Sequence, residues 1–187
     1  MDTFALVLSH SFRAFEKKKL VLKGSPFPSL NTLPIESQPL HPDELYFAEH
    51  YGASDYALIQ VRLEKIEGER VDVNYDLRMR LSEYYRLDLS RCGTPLLLDL
   101  YRSLAESSMV TFSVYSYFHL FANEILERAG AKYFDIYHEG ARQSFDTLLA
   151  SARLNLSPVR LRELVSFLQE RLESAEGPEM KKQYAFM

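Results

Sequence analysis

MVTFSVYSYFHLFANEIL, residues 109–126, decides how the fold is read. From Met109 to Asn123 there is no charged residue, and apolar side chains point in every direction around a helix. A helix of that kind is buried on all sides or lies in a membrane. The uncharged run is 15 residues, short of the roughly 20 that a spanning helix needs. His119, Asn123 and Glu124 at its far end would be costly against lipid. The stretch therefore predicts a buried helix over 109–128, the axis of a soluble bundle, ended by Gly130 because glycine tolerates the left-handed cap.

The flanking sequence supplies material to wrap that axis. Thr94-Pro95 opens a helix, with threonine as cap and proline at the first helical position. A third helix spans Ala141 to Arg153, with Phe145, Leu148, Leu149 and Ala152 on one face. Ser157-Pro158 opens the last helix, whose apolar positions are Leu161, Leu164, Val165, Leu168 and Leu172, with Leu156 and Leu161 spaced as a hydrophobic staple. This gives a four-helix C-terminal bundle over 94–175 and a flexible tail over 176–187.

The first half reads differently. In RVDVNYDLRMRL, residues 70–81, apolar and polar side chains alternate strictly, which is a strand with one wet face. A weaker alternation precedes it, and a three-residue loop Ile66-Glu67-Gly68 would pair Leu63 with Val71 and Val61 with Val73 on the dry face. The expected hairpin has strands over 56–65 and 69–81. Thr3 to Leu8 and Leu20 to Leu22 read as short strands, and a proline-rich connector fills 25–42. Pro42 and Gly52 bracket a short helix. The expected fold class is α+β, with a β-rich subdomain over 1–90 and the helical bundle after it.

Composition narrows the function classes. The 187 residues are 47% apolar and 26% charged, ordinary for a globular chain. A net charge of -4 disfavours broad nucleic-acid binding through phosphate neutralisation. One cysteine, Cys92, excludes an internal disulfide framework and a cysteine-based zinc site, and fits a reducing compartment. The N-terminus lacks the basic region and cleavage site of a signal peptide, so the expected location is cytoplasmic, with no membrane contact.

Candidate chemistry is sparse. Asp72, Asn74, Asp76 and Glu83 fall at positions 1, 3, 5 and 12 of a calcium loop, but Leu77 stands where that loop turns on glycine, and an extended strand cannot wrap an ion. No histidine pair has metal-site spacing. Neither a nucleophile elbow nor a phosphate-cradling glycine run occurs. One polar cluster is worth following: His119 and Asn123 share a helical face, Glu124 and Arg128 form an i, i+4 pair, and His138 lies nearby in sequence. These five are either satisfied core groups or the floor of a site.

Leu96-Leu97-Leu98-Asp99-Leu100, followed by Phe118-His119-Leu120-Phe121-Ala122-Asn123-Glu124-Ile125, resembles the helical core of HEPN-type domains of abortive-infection and toxin–antitoxin systems. The resemblance covers residues 95–129. Ribonuclease members of that family carry an arginine, four to six residues, then a histidine. No pair here has that spacing, since Arg128 to His138 is too long. The resemblance thus implies a non-catalytic helical module, typically dimeric. The expected function is non-enzymatic interaction with a protein partner or a second copy of the chain, with no cofactor and no metal. The alternatives are a ribonuclease of defence type, with His119, Arg128 and His138 in one cleft, and a small-molecule sensor with a pocket beside the tyrosine-rich helix.

Overall fold

The structure is a computed structural model, and it describes residues 39–174. All of them fall in one compact unit. The order is α1 (Pro42–Glu49), a 3-10 turn (Ala53–Leu58), β1 (Leu63–Ile66), β2 (Glu69–Asp72), α2 (Tyr75–Tyr85), a 3-10 turn (Leu89–Arg91), α3 (Thr94–Thr111), α4 (Phe118–Ala129), a 3-10 turn (Gly130–Tyr133), α5 (Phe134–Ala141), α6 (Phe145–Ser151) and α7 (Pro158–Ser174). None of these helices is long and apolar enough to cross a membrane. The expected strands at 3–8 and 20–22, nearly all of the proline-rich connector and the tail lie outside the described residues.

An α+β chain with a β-rich first half is not what forms. Among the described residues strands cover only Leu63–Ile66 and Glu69–Asp72, and helix dominates. The alternating run 70–81 is divided: its first residues are β2, and Tyr75 onward is α2. The reason is Arg78. The buried positions of α2 are Arg78, Leu81, Ser82 and Tyr85, spaced i, i+3, i+4, i+7. That is a helical stripe, but its first member is an arginine, so polarity alone reads the run as period two.

The hairpin register also differs. Leu63 pairs with Asp72 and Glu64 with Val71, across a two-residue loop of Glu67 and Gly68. Both loop residues have positive φ, 52° and 94°, the signature of the type I′ turn whose twist matches paired strands. Leu63, Ile66 and Val71 are all exposed. With no buried face to fix the register, turn chemistry decides it.

A single helix over 109–128 does not form either. Helix α3 ends at Thr111, Phe112 takes the left-handed conformation at φ 55°, and α4 starts at Phe118. The break falls among Val110, Thr111, Ser113 and Val114, β-branched residues and a serine that favour other conformations over helix. Its left-handed phenylalanine costs about 1 kcal/mol. The two helices pack on each other, with the Tyr101 ring of α3 stacked on Phe118 at 4.7 Å. Gly130 does end α4, with φ 50°. The expected helix 141–153 is shorter, as α6, and a further helix, α5, precedes it.

One core runs through the described chain. Leu96, Leu97, Leu100, Tyr101 and Leu104 of α3 meet Phe118, Phe121, Ala122 and Ile125 of α4, and Ala48, Ile59, Leu81 and Tyr85 join from the earlier segments. Gly140 lets α5 press against Tyr101, since a Cβ there would lie 2.4 Å from the ring. The Tyr101 hydroxyl donates to the Tyr137 carbonyl at 2.7 Å. A smaller cluster of Leu126, Phe134 and Leu164 holds α7, with Leu156, Phe167 and Leu168 against it. Leu161, expected to staple the start of α7, is 54% exposed.

Candidate functional site

Helix α4 carries four of the five residues singled out from the sequence, and its geometry separates them. His119 and Arg128 are nine residues apart, so they lie about 13 Å apart along the axis and half a turn around it. Glu124 and Arg128 do meet, with Nε donating to the carboxylate at 2.7 Å. The same guanidinium donates from Nη1 to the Cys92 carbonyl at 2.7 Å and to Thr94 Oγ1 at 3.3 Å. Its Nη2 donates to the Leu89 carbonyl. Arg128 therefore clamps the connector that leads into α3.

Asn123 looks elsewhere. Its side-chain oxygen accepts from the Asn155 backbone N–H at 2.7 Å. One turn on, Glu127 accepts from the Ser157 N–H at 2.9 Å, and the Ser157 hydroxyl, then that N–H, hold its carboxyl below the usual range. Arg160 of α7 donates to the carbonyls of Glu127 and Arg128, at 2.8 and 3.0 Å. It thereby satisfies the end of α4 where the helix dipole is negative. This face of α4 is a seat for the chain entering α7. His119 has a buried Nδ1 with no hydrogen bond among the described residues.

His138 belongs to α5, where its ring stacks on Phe134 with an 11° tilt. Burial, then the nearby Arg142, pushes its pKa below the ordinary histidine value, against the opposing pull of Asp135. A lowered folded pKa means that the folded state holds the proton less tightly than the unfolded chain. This contribution to stability is complete above about pH 6.5 and is lost as pH falls through the depressed value. The melting temperature should therefore fall on acidification from pH 7 towards 5, and His138→Gln should flatten that slope. Identical slopes for the two proteins would contradict the assignment.

The calcium-like residues fold into a different arrangement. Arg78 is 0% exposed and pairs with Asp72. Its Nη1 donates to the Ile59 carbonyl at 3.0 Å and its Nη2 lies 3.4 Å from Ser107 Oγ. Asp72 also accepts from the backbone N–H groups of Arg62 and Asn74, at 3.1 and 3.3 Å. Asn74 donates from its amide to the carbonyls of Ala57 and Gln60. The acid and amide here receive protein donors or satisfy protein carbonyls. Among the described residues no cluster of three or more metal-ligating side chains occurs.

Tyrosine–carboxylate pairs complete the polar interior. Tyr51 donates to Asp99, Tyr56 to Glu106 and Tyr115 to Glu83. Burial first, then those carboxylates, raises all three phenols. The Tyr117 ring carries the Arg86 guanidinium at 4.3 Å. Burial pushes the Cys92 thiol up to about 12, which keeps it from being a thiolate nucleophile at neutral pH. A surface depression of about 250 Å³ is lined by Pro39, Tyr84, Tyr85, Leu87, Asp88 and Arg91, smaller than the usual range for small-molecule sites.

The feature that sequence reasoning missed is the orientation of α6. Ser144, Thr147 and Ser151 face inward. Ser144 Oγ accepts from the Thr147 N–H, Thr147 Oγ1 donates to the Ala141 carbonyl, and the Ser151 carbonyl accepts from the Tyr137 hydroxyl. Phe145, Leu148 and Leu149 face outward and are 49%, 49% and 51% exposed. Ser108 of α3 donates to Ser144 Oγ at 3.0 Å, which ties the start of α6 to the end of α3. Periodicity finds such a stripe but not the direction in which it points. No protein-family model, curated protein or solved structure matches this chain.

Proposed function

We propose that this chain is a non-enzymatic cytoplasmic interaction module that binds a partner protein through the outward apolar face of α6. The observation that carries the reading is the inversion of that helix, with hydroxyls inward and Phe145, Leu148 and Leu149 outward. Single exposed apolar residues are ordinary. Three on one face, at i, i+3 and i+4, form a patch of the kind that marks an interaction site. The aromatic ring of Phe145 suits an interface core. Of the polar side chains on α4, Asn123 and Arg128 are spent on backbone groups and Glu124 on Arg128, and that supports a structural rather than a catalytic role for these three.

The test compares the wild-type chain with a Phe145→Ser, Leu148→Ser, Leu149→Ser variant. The variant should fold as well as wild type, because none of the three side chains is in the core. A partner captured by wild type should be lost with the variant, and the binding should be reproduced between the two purified proteins. Equal binding by both chains would refute the reading, as would turnover of RNA by the purified protein that disappears with His119→Ala.

A further inference from the structure

Helix α7 carries a second apolar stripe. Leu164 is its buried side chain, and Phe167 and Leu168 pack partly against Leu126 and Phe134. Leu161, Val165 and Leu172 are 54%, 45% and 37% exposed. With Leu168 they are spaced four, three and four residues apart. At 100° per residue these four positions fall within about 60° of one another. A repeat of alternating four and three is the seam of a coiled coil, narrower than the stripe a helix buries in its own core.

The seam is complementary to itself in one direction. Run antiparallel against a copy of itself, with the twofold axis between Ser166 and Phe167, it matches Leu161 with Leu172 and Val165 with Leu168, then the same pairs in reverse. No layer lacks a partner. The charges on its exposed flank agree. Arg162 lies near one end and Glu173 near the other, both exposed and neither in an ion pair among the described residues. Antiparallel pairing keeps that flank on the same side of the seam in both copies and brings each arginine within reach of the partner's glutamate, whereas parallel pairing turns the two flanks to opposite sides of the seam. Flanking charges of this kind choose partner and orientation in coiled coils.

We infer that the apolar stripe Leu161–Val165–Leu168–Leu172 of α7, exposed at all but the half-buried Leu168, is a self-association surface, on which a second copy of the chain packs its own α7 antiparallel. The face is distinct from the outward side of α6 and does not depend on the role given to that helix. Four layers make a small interface, so the dimer is a reversible one, populated at high concentration.

Sedimentation equilibrium of the full chain tests this. Wild type should show a monomer–dimer equilibrium, and a Leu161→Glu, Val165→Glu variant should remain monomeric with unchanged circular dichroism. Charge exchange supplies the second arm, at exposed sites that leave the fold alone. Arg162→Glu and Glu173→Arg should each weaken the dimer by about three- to tenfold, since two exposed pairs are lost. The double exchange should restore it to near the wild-type constant. A chain that stays monomeric overturns the inference, whether the stripe is bare or covered by another segment of the same chain. So does a dimer that ignores the α7 variants but dissociates with the serine variant of α6, and that last result would leave the reading of α6 standing.

Discussion

Replacing Asp72 by alanine is expected to destabilise the chain by about 3–5 kcal/mol, the range for stranding one partner of a buried ion pair. The magnitude follows from the burial of Arg78, whose guanidinium has no route to water. Without Asp72 it keeps only the Ile59 carbonyl and the distant Ser107 hydroxyl. The reverse substitution should be milder. Arg78→Met leaves Asp72 partly exposed and still accepting from Arg62 and Asn74. Urea unfolding of the two variants should therefore rank Asp72→Ala as the worse. Where that variant does not fold at all, Asp72→Asn keeps the acceptor for the backbone N–H groups while removing the charge, and should fall between Arg78→Met and Asp72→Ala. Equal stabilities across the set would mean that the pair contributes nothing.

Arg128→Met should cost about 2–3 kcal/mol, for the loss of charge-assisted bonds to the Leu89 and Cys92 carbonyls and to Glu124. The guanidinium reaches two carbonyls of the connector, the Thr94 hydroxyl at the start of α3 and Glu124 on its own helix because its donors fan out in a plane. An ammonium cannot span them, so Arg128→Lys should recover less than half of the loss. Glu124→Gln should cost less than either, because the arginine keeps both carbonyls. Thermal unfolding checks the order. A chain with Arg128→Met as stable as wild type would return that side chain to the list of groups held for a ligand.

Part of this architecture can be read from residue types. Pro42, Thr94-Pro95 and Ser157-Pro158 mark helix starts, and α1, α3 and α7 begin there to within a residue. Gly130 marks the end of α4. The rest is hidden for physical reasons. Arg78 is a polar residue at a core position, so α2 shows the wrong period. The break after Thr111 contains no glycine or proline, and the uncharged run from Met109 to Asn123 conceals it. Of the polar cluster, the Glu124–Arg128 contact follows from helical spacing alone. The carbonyls that Arg128 holds cannot be foreseen, because they belong to a connector 36–39 residues earlier in the chain.

The Asp72–Arg78 contact also bears on the order in which the chain assembles. Two four-residue strands joined by a tight turn do not persist alone in water. This hairpin is fastened only at its base, through a charge that also needs Ile59 and Ser107, residues 48 positions apart. Until those segments converge, the guanidinium is better off hydrated. The hairpin is therefore expected to order late, once α2 has docked on α3.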